Sequence, residues 1–283
     1  MISPYAVISP NAKIGTDAEI GAFCVIEDGV EIGDQCQLAP HTVIRNGTRI
    51  GKNNRIESGC IIGGLPQHIT AQPPFGNIVI GSGNTFRENV TIHRAVKESA
   101  ATLIGNNNYL MVNAHIAHDC VIGNNNVLVN NTMLGGHVQV GSSVTFGGGS
   151  GVHQFCRIGS LAMLGAQSHV VQDIPPFMMV DGLTSRIVGL NLIGLRRNGR
   201  TAEDIKTIKS AYMLLYRSGL TWAEILDDFQ NMYAAGPVAE ITQFILETKR
   251  GIVSERHSTH SPLRMLGPDD NEQREIIELR AAG

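Results

Sequence analysis

The sequence is poor in aromatic residues and has no long apolar run. Only 5% of its 283 residues are Phe, Trp or Tyr. No apolar run approaches the roughly 18 residues that a membrane span needs, so no span is expected. The net charge of −3 excludes a broad basic face for nucleic acid. The opening residues, Met1-Ile2-Ser3-Pro4, lack the basic and apolar regions of a secretory signal, so we expect a cytoplasmic protein.

A six-residue repeat runs through most of the chain. Counting by six from Ile8 to Val170 gives 28 positions, of which 25 hold aliphatic residues or Phe. The exceptions are His68, Pro74 and Glu98. A second slot, four residues after each of these positions, holds small residues and includes all five cysteines, none in a CxxC spacing. Because a buried thiol behaves as a small hydrophobe, we expect the cysteines to pack in a core.

Three repeats complete one turn of a coil. Ile-Gly pairs begin at Ile14, Ile32 and Ile50, which are 18 residues apart. The two inward slots lie two residues apart across each repeat boundary, which is strand spacing, and the other residues turn a corner. Stacked coils of parallel strands, about 4.8 Å apart, bury aliphatic side chains in a narrow interior. The sequence therefore predicts a mainly β, three-sided parallel β-helix over residues 1–190.

Two segments interrupt the repeat, and a different pattern follows it. Residues 63–77 and 94–102 carry the wrong residues at core slots, so we predict loops there, and such loops are often functional. The repeat is expected to end at Pro175-Pro176, because proline cannot donate to a strand ladder.

A C-terminal α-helical domain is predicted over residues 191–250. Helices are expected from Thr201 to Ser218, from the capping box Thr221–Glu224 to about Gly236, and from Pro237 to about Arg250. Residues 251–283 form an extension that we predict to be loosely ordered, with a short helix near Glu272–Arg280. Seven basic and two acidic residues between Arg186 and Arg217 indicate either a solvated helical face or a docking patch for an acidic partner.

Several histidines fall on one edge of the predicted coil. Residues 18 apart are vertical neighbours, so His118 lies below Gly136, and Gly136 lies below Gln154. His137 and His153 are next to these two positions, and none of His118, His137 and His153 occupies an inward slot.

Two further histidines extend this edge. His115 lies three residues before His118 and points outward. His93 joins the edge one coil below if the 94–102 loop replaces one repeat. Asp119 offers a carboxylate that would hold a neighbouring imidazole in one tautomer, which favours a general base. Zinc binding by the row of imidazoles is the alternative.

The stretch Asn113–Cys120, with the sequence NAHIAHDC, resembles the signature of the UDP-N-acetylglucosamine O-acyltransferases, a family of hexapeptide-repeat acyltransferases in lipid A biosynthesis. The resemblance extends from about residue 5 to residue 250. It implies a left-handed parallel β-helix that forms a homotrimer. It also implies transfer of a (3-hydroxy)acyl chain from acyl carrier protein to the glucosamine 3-hydroxyl of UDP-N-acetylglucosamine, without a cofactor or a metal. The basic stretch would then dock the acidic carrier protein.

The resemblance also implies roles for individual residues. His118 corresponds to the general base, Asp119 to the residue that orients it, and Gly136 to an oxyanion donor through its backbone N–H. Ala166 matches the position that limits acyl chain length. The residues implied to contact the substrates are Gln67, His68, His93, His115, His137, His153, Gln154, Asn191 and Arg197.

Two positions depart from the family pattern. Gln67-His68-Ile69-Thr70 stands where the family usually has Gln-Asp-x-Lys, and Ile193 stands where a Glu is often found. Both changes remove charge near the acceptor. They leave open N-acylation of a 3-amino UDP-sugar. A zinc-dependent hydratase or lyase on the same fold and a non-catalytic scaffold are further alternatives.

Overall fold

The computed structural model describes residues 1–256, and a three-sided parallel β-helix forms most of this region. Each coil contributes one short strand to each of three sheets, which we call sheets A, B and C in the order the chain visits them. The corner that leads from sheet A to sheet B is the AB corner, and the BC and CA corners follow.

Strands of two to four residues build the sheets. Sheet A contains Val7–Ile8, Val25–Ile26, Val43–Ile44, Ile61–Gly64, Thr91–His93, His115–Ile116, Met133–Leu134, Gly151–Val152 and His169–Val170. Sheet B contains Lys13–Ile14, Glu31–Ile32, Thr48–Ile50, Asn77–Ile80, Ala101–Ile104, Val121–Ile122, Gln139–Val140 and Arg157–Ile158. Sheet C contains Glu19–Ile20, Gln37–Leu38, Arg55–Ile56, Thr85–Phe86, Tyr109–Leu110, Val127–Leu128, Thr145–Phe146, Met163–Leu164, Met178–Val180 and Ile187–Leu190.

The strand register confirms that 18 residues, or three repeats, complete one coil. Val7 pairs with Val25 in parallel, and His115 pairs with Met133 in the same way. Two laps are longer, because Ile61 pairs with Thr91 and Thr91 pairs with His115. Both extra lengths are inserted at the AB corner. The inserted loops are shorter than predicted. Strands of sheets A and B extend into the first segment and a strand of sheet B extends into the second, which leaves residues 65–76 and 94–100 as loops.

The interior is filled as the repeat predicts. The aliphatic slots from Ile20 onward and all five cysteines are buried, Ile8 and Ile14 are partly buried, and the thiols are free. Cys120 Sγ–H, for example, donates to Gly135 O at 3.1 Å. The column accepts two large rings, Phe86 and Phe146, which are both fully buried on sheet C.

Buried asparagines form a second stack in the interior. Asn54 Oδ1 accepts from Asn84 Nδ2 at 3.0 Å, and Asn84 Oδ1 accepts from Asn108 Nδ2 at the same distance. Asn108 Oδ1 in turn accepts from the backbone N–H of Asn126. Each amide thus satisfies a group in the next coil, which buried polar groups require.

The coil does not end at Pro175-Pro176, which corrects the prediction. Ile158 forms a parallel bridge with Ile174, and Met178–Val180 still pairs with Met163–Leu164 of sheet C. The two prolines lie between these pairings, at a turn of the coil, where their missing N–H groups cost no ladder hydrogen bond. The final strand, Ile187–Leu190, is antiparallel to its neighbour.

Four α-helices follow the β-helix. They are α1 (Leu192–Arg197), α2 (Ala202–Arg217), α3 (Trp222–Met232) and α4 (Ala239–Leu246), with a 3₁₀ turn at Gly236–Val238 before α4. Thr221 forms the predicted capping box with Glu224, and Thr201 forms one with Asp204 that was not predicted. The α4 helix ends at Leu246, before the predicted Arg250, and α1 was not predicted.

Residues 251–256 are packed against the body of the protein, contrary to the prediction of loose order. Ile252 is buried and forms a parallel bridge with Asp173. Glu255 is also buried, and it accepts hydrogen bonds from Arg217 Nε and from the Tyr212 hydroxyl. These contacts tie the segment to both the β-helix and α2. The predicted helix at Glu272–Arg280 lies outside the described residues.

Candidate active site

The AB corner carries both inserted loops and most of the predicted site residues. His118 and Asp119 form the turn of one coil, and Gly136 and His137 form the turn of the next. Asp119 and His137 each adopt a left-handed backbone conformation with a φ of 61°. This conformation at the second turn residue lets a coil change direction within two residues.

A buried His–Asp pair lies at the centre of this corner. His118 is 6% exposed, and its Nδ1 lies 2.8 Å from Asp119 Oδ2. Because a carboxylate only accepts hydrogen bonds, the contact assigns the proton to Nδ1. The lone pair of Nε2 is then available to accept a proton from a substrate.

Asp119 is itself held by two groups that the sequence did not reveal. Its Oδ2 accepts a second hydrogen bond from the Val96 N–H at 3.0 Å, in the 94–100 loop. Its backbone N–H donates to Thr102 Oγ1 at 2.9 Å. A backbone donor leaves no mark on residue type, and Thr102 occupies an ordinary small slot of the repeat, so neither could be found from the sequence.

Gly136 lies directly against the His118 ring. A Cβ built at position 136 would lie 2.6 Å from His118 Cε1 and 2.7 Å from Nε2, closer than real Cβ contacts allow. The backbone of Gly136 is therefore exposed to the same space as Nε2. Among the hydrogen bonds of residues 1–256, the Gly136 N–H donates to no acceptor, whereas its carbonyl accepts from Phe155.

His137 lies over the pair from the coil above. Its ring stacks on Phe155 with centroids 4.5 Å apart and meets the His118 ring edge-on at 5.2 Å. His137 Nε2 is 3.9 Å from Asp119 Oδ2. Burial lowers the pKa of His137, and the Asp119 carboxylate partly opposes that shift.

His93 lies in the coil below, and His115 lies in the strand that leads to His118 in the same coil. The six-residue shift expected for His93 is confirmed by the pairing of Ile92 with Ile116. The two rings meet edge-on at 4.9 Å. His115 Nδ1 is 2.8 Å from Thr91 Oγ1. Burial, reinforced by neighbouring imidazoles, lowers the pKa of His93 to about 4 and also lowers the pKa of His115. Both rings are thus neutral at pH 7.

The 65–76 loop brings His68 to the site. The His68 ring meets the His118 ring at a centroid distance of 5.7 Å, although His68 and Gln67 are themselves exposed. Arg94 fixes the far end of the loop, because its Nε and Nη2 donate to Gly76 O and Phe75 O at 2.7 and 2.9 Å.

Within a single chain, only some of the remaining predicted site residues lie on the AB corner. His153 and Gln154 lie on the AB corner one coil above Gly136, and Gln154 is exposed. Ala166 lies on the CA corner instead. Asn191 caps α1 through Gly194 N–H and donates to Leu161 O at the BC corner, and Arg197 is exposed at the end of the same helix.

One group of side chains has the composition of a metal site. The ligand atoms of His118, Asp119 and His137 all lie within 4.8 Å of one another. However, the His118 Nδ1 and Asp119 Oδ2 atoms already face each other at hydrogen-bond distance. A metal ion between them would have to separate the pair, so the geometry fits an oriented base better than a zinc centre.

Comparisons with known proteins agree with this geometry. Residues 173–253 match the family model described as Udp N-acetylglucosamine O-acyltransferase, Domain 2, and residues 29–64 and 101–136 match that of the bacterial transferase hexapeptide, six repeats. A curated acyl-[acyl-carrier-protein]–UDP-N-acetylglucosamine O-acyltransferase from Paraburkholderia phymatum is 42% identical over 258 residues, which cover 89% of this chain and 98% of the relative. The chain belongs to the UDP-N-acetylglucosamine O-acyltransferase family.

Solved structures of UDP-N-acetylglucosamine O-acyltransferases have the same fold. The acyltransferase from Francisella novicida is 38% identical, with a TM-score of 0.89 over 92% of this chain and 96% of its own. The one from Moraxella catarrhalis is also 38% identical, with a TM-score of 0.85 over 89% and 99%. The fold class is thereby confirmed as a left-handed parallel β-helix with a C-terminal helical module. In residues 1–256, every helix is too short or too polar to cross a membrane.

Proposed function

We propose that the protein transfers a (3-hydroxy)acyl chain from the thioester of acyl carrier protein to the 3-hydroxyl of UDP-N-acetylglucosamine, the first step of lipid A biosynthesis. The observation that carries the proposal is the buried His118–Asp119 pair against the backbone of Gly136, in a chain of this family. The reaction needs one group that accepts the hydroxyl proton and one that stabilises an oxyanion, and this corner offers both.

His118 acts as the general base. Its Nε2 takes the proton of the acceptor hydroxyl while the oxygen attacks the thioester carbon. The positive charge that forms on the imidazole is stabilised by Asp119, whose carboxylate accepts the Nδ1–H hydrogen bond at 2.8 Å. Because Asp119 is held by Val96 and Thr102, the ring keeps one orientation through the reaction.

The tetrahedral intermediate forms next to Gly136. The Gly136 N–H donates to the oxyanion, and the absence of a side chain there lets the reacting carbonyl approach the backbone. When the intermediate collapses, the carbon–sulfur bond breaks, and the proton on His118 Nε2 passes to the departing thiolate. The enzyme then returns to its starting protonation state without a cofactor or a metal.

The other predicted contacts surround this centre. His68 and His137 flank His118, and Gln67 lies beside His68 on the 65–76 loop. His93 lies below the pair and His115 lies beside it in the same coil, and both would contact the acceptor as neutral hydrogen-bonding groups. His153 and Gln154 extend the same edge upward, toward the donor.

A homotrimer is proposed because the site residues of one chain are divided among three corners. Ala166 and Asn191 lie on other corners than His118, so they can share a site with it only across a contact between copies. The first strands of sheet A offer a surface for such a contact. Their outward residues Val7, Val25 and Ile61 are apolar and exposed, whereas the corresponding residues of sheet B include Lys13 and Glu31.

Carrier-protein docking and cellular location are also part of the proposal. Arg196 and Arg197 are exposed on the last turn of α1, in the basic stretch predicted to bind an acidic partner. We place the reaction in the cytoplasm, where acyl carrier protein supplies the donor.

The test measures thioester consumption by purified protein with UDP-N-acetylglucosamine and an acyl carrier protein donor series. Removing the base with His118→Ala is expected to lower kcat by about 10²–10⁴-fold. His169→Ala is the matched control, because His169 is an exposed histidine on the last strand of sheet A. A His118→Ala enzyme with most of the wild-type rate would exclude His118 as the base.

The acceptor is tested in the same assay. His68 and Thr70 leave the 65–76 loop without a charged side chain, and this motivates a comparison with a 3-amino UDP-sugar. The curated relatives are named as O-acyltransferases, which favours the hydroxyl acceptor. A clear preference for the amine would instead assign N-acylation. Stoichiometric zinc in active protein, measured by elemental analysis, would support the less favoured hydratase alternative.

A further inference from the structure

The ladder of backbone hydrogen bonds at the AB corner is interrupted below Asp119. At most turns of the column, the second turn residue donates its N–H to the carbonyl of the first turn residue one coil below, although Gly29 and Gly47 in the lower coils of this corner form no such bond. His137 donates to His118 O in this way, and Phe155 donates to Gly136 O, both at 3.0 Å. The 94–100 loop lies in the coil below Asp119, so the corresponding carbonyl is not in place there.

The Thr102 hydroxyl replaces the missing backbone carbonyl as the acceptor for the Asp119 N–H. Oγ1 accepts the Asp119 N–H at 2.9 Å and donates to His93 O at 2.8 Å. Thr102 is fully buried, so water does not compete for either bond. The hydroxyl therefore links the coil of His93 to the coil of Asp119 across the point where the loop separates them.

The Thr102–Asp119 hydrogen bond affects His118 indirectly, first through the Asp119 turn and then through the Asp119 carboxylate. Asp119 has a φ of 61°, and its peptide N–H fixes the direction of the turn from which its carboxylate projects. Its Oδ2 must meet both Val96 N–H and His118 Nδ1, at 3.0 and 2.8 Å. Without the hydrogen bond from its N–H to Thr102, the Asp119 turn allows the carboxylate more orientations. Only a few of these orientations let Oδ2 accept from both Val96 N–H and His118 Nδ1–H.

We infer that Thr102 is a positioning residue for the His118–Asp119 pair, and that its hydroxyl stands in for the backbone carbonyl that the 94–100 loop removes. This inference rests on the proposed function, in which His118 is the base. Thr102 touches neither substrate nor the His118 ring in this scheme, and it acts through Asp119. Removal of only the hydroxyl keeps the size of the side chain and takes away its two hydrogen bonds, with the Asp119 N–H and with His93 O.

The experiment compares Thr102→Val, which keeps the shape of the side chain, with Thr102→Ser, which keeps the hydroxyl. Thr42→Val is the matched control, because Thr42 is equally buried and its hydroxyl donates to a backbone carbonyl, Ala39 O, at 2.8 Å. For each variant we would measure kcat and KM across pH, the oligomeric state, and the Nδ1–Oδ2 distance between His118 and Asp119 in a crystal structure.

Thr102→Val is expected to lower kcat about tenfold with KM changed less than twofold. The acid limb of its pH profile should move to lower pH, because a displaced carboxylate stabilises the imidazolium less. The Nδ1–Oδ2 distance should lengthen beyond hydrogen-bond range. Thr102→Ser should recover most of kcat, and Thr42→Val should match the wild type in all readouts.

The inference is overturned if Thr102→Val keeps the wild-type pH profile and Nδ1–Oδ2 distance, or if Thr42→Val loses as much activity. If Thr102→Val does not fold, Thr102→Ala and Thr102→Ser carry the same comparison. A wild-type enzyme without acyl transfer would refute the proposed function alone, because the crystallographic distance still reports whether Thr102 positions Asp119.

Discussion

The backbone of Gly136 and the imidazole of His118 share one surface, since a Cβ at position 136 would lie within 2.7 Å of Nε2. Gly136→Ala is therefore expected to displace the ring rather than unfold the chain. A misplacement of about 1 Å costs roughly 10²-fold in rate, so we expect kcat to fall by that factor. Steady-state kinetics with the carrier-protein donor measure the loss.

Gly151→Ala provides the control for this substitution. A Cβ at Gly151 meets no atom of the described residues within 4 Å, and the residue lies in a strand of sheet A. We expect its activity and its melting temperature to stay near those of the wild type. Equal rates for Gly136→Ala and Gly151→Ala would contradict the close contact between Gly136 and the base.

Protein stability should fall as the pH drops from about 6.5 toward about 4. Burial lowers the pKa of His93 from 6.5 to about 4 in the folded protein. In that interval the unfolded chain binds a proton at this position and the folded chain does not, so acid favours unfolding. The pKa values of His115 and His137 shift in the same direction.

Urea unfolding at about pH 7 and about pH 5 tests this linkage. His93→Gln, which cannot titrate, should lose less unfolding free energy between the two pH values than the wild type. We expect a difference of about 1 kcal/mol, well below the full linkage for such a shift, because the ring remains partly solvated. Identical pH dependence in the two proteins would argue against a neutral, buried His93.

The asparagine stack in the interior should be sensitive to loss of one member. Asn84→Ala removes the acceptor of the Asn108 amide and the donor to Asn54 and Gly105. Buried polar groups left without partners cost about 1–3 kcal/mol each, so we expect a loss of about 2–4 kcal/mol in unfolding free energy.

Asn106 is the matched position on the surface. It also hydrogen-bonds to an asparagine 18 residues away, Asn124, but it is exposed, so water can replace its contacts. Asn106→Ala is expected to cost less than about 1 kcal/mol by chemical denaturation. A similar cost for Asn84→Ala and Asn106→Ala would show that burial does not govern the contribution of the stack.

Assembly should depend on the apolar outward residues of the first strands of sheet A, which are Val7, Val25 and Ile61. Val25→Asp places a charge on this face and is expected to dissociate the proposed trimer and abolish acyl transfer, because site residues from different copies would separate. Val79→Asp is the control, since Val79 is an exposed valine on the outward face of sheet B. Light scattering after size exclusion reports the mass. An active, monomeric Val25→Asp protein would reject the trimeric site.

The sequence predicts the scaffold well because the six-residue period is a local property with a single geometric consequence. Once 18 residues make one lap, His118, Gly136 and Gln154 must be vertical neighbours, and the break at Glu98 even places His93. Helix α2 follows from its predicted start at Thr201, and α3 follows from its capping box.

Other features depend on contacts that residue type does not encode. The Val96 N–H and the Thr102 hydroxyl reach Asp119 only because of how a loop folds back. The burial of residues 251–256 depends on a bridge to Asp173, about 80 positions earlier in the chain, which no local pattern indicates. The division of the predicted site among three corners becomes visible only when each turn is assigned to its sheet.

Both insertions enter the column between sheets A and B, and every strand above and below keeps its parallel neighbour. The 65–76 loop is thus separable from the stack of coils, whereas the 94–100 loop is not, because its Val96 N–H holds Asp119. We expect an exchange of residues 65–76, or the graft of a longer segment there, to change acceptor preference without disturbing the hydrogen-bonded column that holds the base. The same separation makes this corner a natural place to engineer new acyltransferases.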